Sequence, residues 1–229
     1  MRSVLKVLDT LLVELGQDAA AVHLVTTRRA PRAQRRTDDP ATLGLLDRAV
    51  AMHQETAVPF WDSVFLIAES DPSGLPSELA RAAALHQTPV SDEIIEIGPT
   101  FMSAVERRLS TAEEDEIVCL SSKVLTHSGA EMHIPMLDFA ARNGAAGSLQ
   151  ASRQVLNSLQ VFGALLDSGR SYHFYGRRLM NSDQLRNFLG RSLLFAPLTD
   201  ARWIAHQLIS GSCALRISTG KGGLPPVEV

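Results

Sequence analysis

Apolar runs of strand length alternate along this chain with amphipathic stretches of about ten residues, and that alternation favours an α/β layer over an all-α or all-β fold. Val4 to Leu15 opens as a helix with Leu5, Leu8, Leu12 and Leu15 on one face. Ala20 to Thr26 reads as a strand, Pro40 to Met52 as a helix and Trp61 to Ala68 as a buried strand. Ser77 to His86 reads as a helix, reached through the turn Asp71-Pro72-Ser73-Gly74. Ile94 to Ile97 is a short strand and Phe101 to Leu109 a helix.

The second half has a different rhythm. Ile117 to Leu125 and Glu131 to Phe139 read as two strands of a hairpin joined by His127-Ser128-Gly129-Ala130. Ser148 to Leu166 reads as one long helix with Val155, Leu159, Phe162 and Leu166 on one side. Ser171 to Tyr175 is a strand, Asp183 to Leu193 and Asp200 to Ile209 are helices, and Cys213 to Ser218 is a last strand. This order suits an antiparallel sheet with helices on one side. The expected division is 1–112 as an N-terminal α/β module and 113–229 as a second module.

With 229 residues, 45% hydrophobic and 21% charged, the chain has the composition of a globular protein. Its net charge of −3 hides an asymmetry. Residues 1–116 carry 11 basic against 19 acidic side chains, and residues 117–229 carry 11 against 6. An anionic partner is therefore expected on the back half. The front half has one exception, a loop with Arg28, Arg29, Arg32, Arg35 and Arg36, which is a candidate contact for nucleic-acid phosphates. Charges interrupt the apolar start, which excludes a signal peptide, and no run reaches the length of a membrane helix. A cytoplasmic protein without a membrane partner is expected. Cys119 and Cys213 lie in apolar runs and read as buried core thiols.

Common chemical motifs are missing. Ser218-Thr219-Gly220-Lys221-Gly222-Gly223 lacks the first glycine and the closing Ser/Thr of a phosphate loop. No G-x-S-x-G elbow is present, and Cys119, His127 and His133 lack zinc spacing. Three segments do combine: His133-Ile134-Pro135-Met136-Leu137-Asp138, Ser171-Tyr172-His173 within a strand, and Leu198-Thr199-Asp200 leading to Arg216 and Lys221. In a strand, residues two apart share a face, so Ser171 and His173 project together.

In these segments the chain resembles the archaeo-eukaryotic primase superfamily, and in particular bacterial primase-like proteins. Asp138 takes the place of the first acid, Ser171 and His173 match the Ser-x-His strand, and Asp200 matches the third acid. Arg216 and Lys221 stand where terminal basic residues would. The resemblance covers about residues 115–223 by motif. It implies an N-terminal α/β module packed on an RRM-like palm, an antiparallel sheet with helices. It also implies nucleotidyl transfer by two divalent cations, Mg²⁺ or Mn²⁺, on a nucleotide triphosphate or nucleic acid. By that analogy Asp138 and Asp200 are catalytic metal ligands, and Ser171, His173, Arg216 and Lys221 bind the nucleotide.

The chain departs from the family at one point. The second acid of the first motif is replaced by Ala140. Two carboxylates under-neutralise a metal pair, and neither Asp167 nor Glu131 is at the family position. Transfer is therefore expected to be lost or weakened. The alternative is a catalytically silent recognition or scaffold subunit of a multi-protein system, of the kind found in prokaryotic defence. An unrelated RRM-like RNA-binding module is disfavoured, because the aromatic RNP signature is absent. Each residue also has a plainer role: Asp200 as a helix cap, His173 as a core histidine, Asp138 as a turn opener and Arg216 as an ion-pair partner.

Overall fold

A computed structural model describes residues 3–15, 18–28, 39–56, 58–85, 89–219 and 225–229. Of the expected site residues, Arg29, Arg32, Arg35, Arg36 and Lys221 lie outside the described residues. The elements run α1 (Val4–Leu15), β1 (Ala19–Arg28), α2 (Pro40–Thr56), α3 (Phe60–Ser70), α4 (Ser77–Ala84), β2 (Ser91–Glu96), α5 (Phe101–Ser110) and β3 (Glu116–Thr126). They continue with β4 (Glu131–His133), β5 (Met136–Asp138), α6 (Ser148–Leu159), β6 (Gly163–Asp167), β7 (Tyr172–Gly176), α7 (Ser182–Leu193), α8 (Ala201–Ser210), β8 (Ala214–Arg216) and β9 (Val227–Glu228). The fold is mixed α/β, as the alternation required. Among the described residues no helix is long and apolar enough to cross a membrane.

Two compact units share the chain, one formed by residues 1–28 and 88–229 and the other by 29–87. The first holds both sheets. One is ordered β2-β1-β3-β4 with β8 also on β3, and the other is ordered β5-β7-β6-β9. All these pairings are antiparallel. Because β1 pairs with β3, the boundary expected at 112/113 falls inside this unit. Its core includes Val4, Leu8, Leu11 and Leu12 of α1, Leu120 and Val124 of β3, and Phe174 and Tyr175 of β7. On α1 the buried stripe is Val4, Val7, Leu8, Leu11, Leu12 and Leu15, the spacing of a helix laid on a sheet.

The second unit is helical, with Leu45, Leu46, Ala49, Val64, Ile67, Ala68 and Leu79 in a core of its own. It corrects one expectation: Trp61 to Ala68 lies in α3 and is not a strand. An unbroken apolar run has no period of its own to tell helix from strand. Its context decided it. Pro59 sits at the N-cap and Asp62 in the first turn, and burial falls on Ser63, Val64, Ile67 and Ala68, one face of a helix.

Two further corrections lie next to the candidate site. Residues 148–166 do not form one helix. α6 stops at Leu159, Gln160 takes a left-handed conformation (φ 57°), and β6 begins at Gly163. Phe162, expected on the buried side, is 71% exposed. Position 163 has no room for a side chain, since a Cβ there would lie 2.0 Å from the Tyr175 carbonyl oxygen. The expected strand Glu131 to Phe139 is likewise split. Pro135 has no N–H to donate to a ladder, and the chain passes there from β4 in one sheet to β5 in the other. The strands of the back half thus lie in two sheets rather than one.

Candidate functional site

Strand β7 builds the centre of the site. Ser171, just before it, and His173 and Tyr175 within it alternate with Tyr172 and Phe174, so the first three share a face. Antiparallel pairing places Asp138 of β5 directly opposite His173. The Ser171 hydroxyl reaches Asp138 Oδ1 at 3.5 Å, and His173 Nε2 stands 3.7 Å from the same oxygen. These three residues meet because of strand register, which local sequence does not encode.

Asp200 arrives through the backbone. Phe139 bridges to Thr199, and the Asp200 N–H donates to the Asp138 carbonyl at 3.0 Å. The two aspartates are 62 positions apart in sequence and hydrogen-bonded neighbours in space. Asp200 is also the N-cap of α8, where Oδ1 accepts from the Trp203 N–H at 2.8 Å. The plainer reading of Asp200 therefore describes a bond that is present.

Arg216 joins the two sheets at this point. It lies on β8 opposite Cys119 of β3. Its guanidinium donates to the Ser218 carbonyl at 2.6 Å and, across the sheets, to the Ser168 carbonyl at 2.8 Å. Ser168 in turn holds the β6–β7 turn, its N–H and hydroxyl both donating to the Ser171 carbonyl. Asp138, Ser171, His173, Asp200 and Arg216 thus form one cluster. Arg28 is elsewhere, on the surface at the end of β1, near Glu113 at 3.6 Å and Asp115 at 3.9 Å.

The electrostatics follow from burial. Burial first, and then the negative charge of Asp200, push the Asp138 carboxyl up to about 8, with Ser171, Arg216 and Arg170 opposing. Burial, and then the Arg216 charge, push His173 down to about 3. The cluster accordingly sets a carboxyl raised toward its neutral form beside an uncharged imidazole and a guanidinium. Sequence reasoning overlooked two members. Burial pushes the Cys119 thiol up to about 12, and the Tyr175 hydroxyl is fully buried without a hydrogen-bond partner. His173 Nδ1 is also without one. The period-two alternation Ser171, His173, Tyr175 was the available signal for the tyrosine. Both cysteines are buried and free, as expected.

This donor set does not fit a pair of divalent cations. The cluster holds two carboxylates, Asp138 and Asp200, the second engaged as a helix cap, and position 140 is alanine. Asp167 is bound to the Asn143 side chain and the Gly169 N–H, and Glu131 lies on β4 beside Lys123 and His133. Among the described residues no group of three or more His, Cys, Asp or Glu is placed to hold a metal ion. His133 is a core histidine set between the hydroxyls of Ser122 and Ser182.

Residues 100–228, more than half of the chain, match a family model described as archaeo-eukaryotic primase 1D-like. The chain belongs to the archaeo-eukaryotic primase superfamily. No curated protein and no solved structure matches it. For this primase-like protein the family points to nucleotidyl transfer or nucleic-acid binding. The matched span contains every member of the central cluster, and it contains Ala140.

Proposed function

We propose that this primase-like protein binds nucleotides or nucleic acid at the cluster of Asp138, Ser171, His173, Asp200 and Arg216, and that metal-dependent nucleotidyl transfer is lost or strongly reduced. The observation that carries this reading is the pairing of an intact Ser-x-His and arginine arrangement with an acid set that stops at two. Phosphate recognition needs N–H and O–H donors and positive charge, which Ser171, His173 and Arg216 provide. Transfer through Mg²⁺ or Mn²⁺ needs several carboxylates that neutralise the cations, and the cluster holds two, Asp138 and Asp200, with Ala140 at the third position. Ser171 and His173 would contact phosphate oxygens directly. Arg216 would add charge while holding the turn that presents Ser171.

Calorimetric titration with a nucleoside triphosphate, with and without chelator, tests the binding half. Binding that survives the chelator and is lost in His173→Ala and Arg216→Ala supports it. A primed template with labelled nucleotides and Mn²⁺ tests the transfer half, and robust extension abolished by Asp138→Ala would sink the claim that transfer is lost. Ala140 also favours a second reading, a silent recognition or scaffold subunit of a multi-protein system. Failure to bind any nucleotide or oligonucleotide would select that one.

A further inference from the structure

Two surface turns beside the cluster are fixed to each other by a single residue. The chain after β5, carrying Arg142-Asn143-Gly144, lies against the β6–β7 turn, carrying Gly169-Arg170. The Asn143 N–H donates to the Arg170 carbonyl at 3.0 Å, and its side-chain amide donates to Asp167. The Asn143 side-chain oxygen accepts from the Tyr172 hydroxyl at 3.4 Å, and that hydroxyl also meets Ser148 at 3.2 Å. Asp167 closes the second turn by accepting from the Gly169 N–H at 2.7 Å. Gly144 (φ 79°) and Gly169 (φ 92°) take the left-handed conformations these tight turns require.

The result is two exposed arginines, Arg142 and Arg170, on turns anchored through the buried Tyr172. Arg170 directly precedes Ser171, whose hydroxyl reaches Asp138, so the pair sits at the rim of the cluster. The Asn143–Arg170 backbone bond brings together two turns that each carry an exposed arginine, and adjacent positive charges suit the repeating negative charges of a phosphodiester chain.

We propose that Arg142 and Arg170 form a contact site for the phosphodiester backbone of a nucleic-acid strand running past the mouth of the cluster. The site is distinct from the mononucleotide contacts of Ser171 and His173, and the proposal rests on the reading that the cluster binds nucleotides or nucleic acid. The test is fluorescence anisotropy with a labelled single-stranded oligonucleotide over a salt series, alongside titration with a nucleoside triphosphate. The R142A/R170A double variant should lose oligonucleotide affinity roughly tenfold at low salt, with a salt slope smaller by about one per arginine removed. Its triphosphate affinity should fall by a clearly smaller factor, because Ser171 and His173 stay in place while Arg170 acts on the cluster only through its charge near Asp138, and R142A alone should leave triphosphate affinity unchanged. R142K/R170K should retain most of the affinity, because the term is electrostatic. Wild-type oligonucleotide binding that the double variant reproduces, slope included, overturns this proposal and leaves the cluster's reading intact. So does triphosphate binding without oligonucleotide binding. Binding of neither ligand by the wild-type protein overturns both.

Discussion

Tyr175 and Asp138 are the residues at which burial and polarity conflict most directly. The Tyr175 hydroxyl is buried without a partner, so the folded state bears its desolvation uncompensated. Tyr175→Phe should therefore stabilise the protein by about 1 kcal/mol, read as a higher urea midpoint at unchanged slope. A loss of stability would mean that the hydroxyl is bonded in solution. Asp138 stays protonated in the folded protein to about pH 8, whereas an unfolded chain releases that proton near 3.9. Between those values the folded state binds more protons, so this group's contribution to stability falls as pH rises through the window. Asp138→Asn removes the decline. Its gain, on the order of a few kcal/mol, should appear in denaturation at pH 8 and vanish at pH 4. His173 works in the opposite direction, because the unfolded chain takes up its proton below about 6.5 and the folded protein only near 3. Stability from that residue is lost as pH falls.

At the scale of the element, one side chain can serve two roles that different substitutions separate. Asp200 caps α8. Asn caps as well as Asp, and Ala does not cap, so Asp200→Ala should cost about 1 kcal/mol and Asp200→Asn only a few tenths. Thermal denaturation of the two variants measures the cap alone, and Mn²⁺-dependent extension by Asp200→Asn measures any role as a ligand. The elements also show how far sequence could be read. α1, α2, α5, α7 and α8 were visible in the apolar spacing and the turn residues, because each packs one face and leaves the other wet, and β1 was visible as a short apolar run buried on both faces. α3 was misread as a strand because its apolar run is nearly continuous. The break at Gln160 to Gly163 was missed because apolar residues continue in helical spacing across it. The helix ends where Gln160 turns left-handed, and β6 then begins at Gly163, packed so closely on the Tyr175 carbonyl that no side chain fits there.

The whole molecule is an unusual reading of chain order. The helical unit 29–87 is inserted between β1 and β2, which are neighbours in one sheet. The strands that flank the insertion meet, since the Val90 N–H donates to the Thr26 carbonyl at 2.7 Å. Among the described residues, the core of the larger unit contains none from the insertion. Replacing 29–87 by a turn of about four residues should therefore leave a cooperatively folded protein with nucleotide binding retained. Loss of cooperative unfolding in that variant would show that the larger unit depends on the insertion.

By itself the sequence determined the α/β class, most of the helices, the acidic front and basic back, and the identity of five cluster residues. Those properties reside in local periodicity, in composition and in short motifs that keep their order along the chain. Only the tertiary structure decided that Asp138 lies opposite His173, that Asp200 bonds to the Asp138 backbone, and that Arg216 spans two sheets to hold the Ser171 turn. It also decided the chemistry of the site. Burial, which no motif encodes, turns an aspartate toward its neutral form and keeps a histidine uncharged.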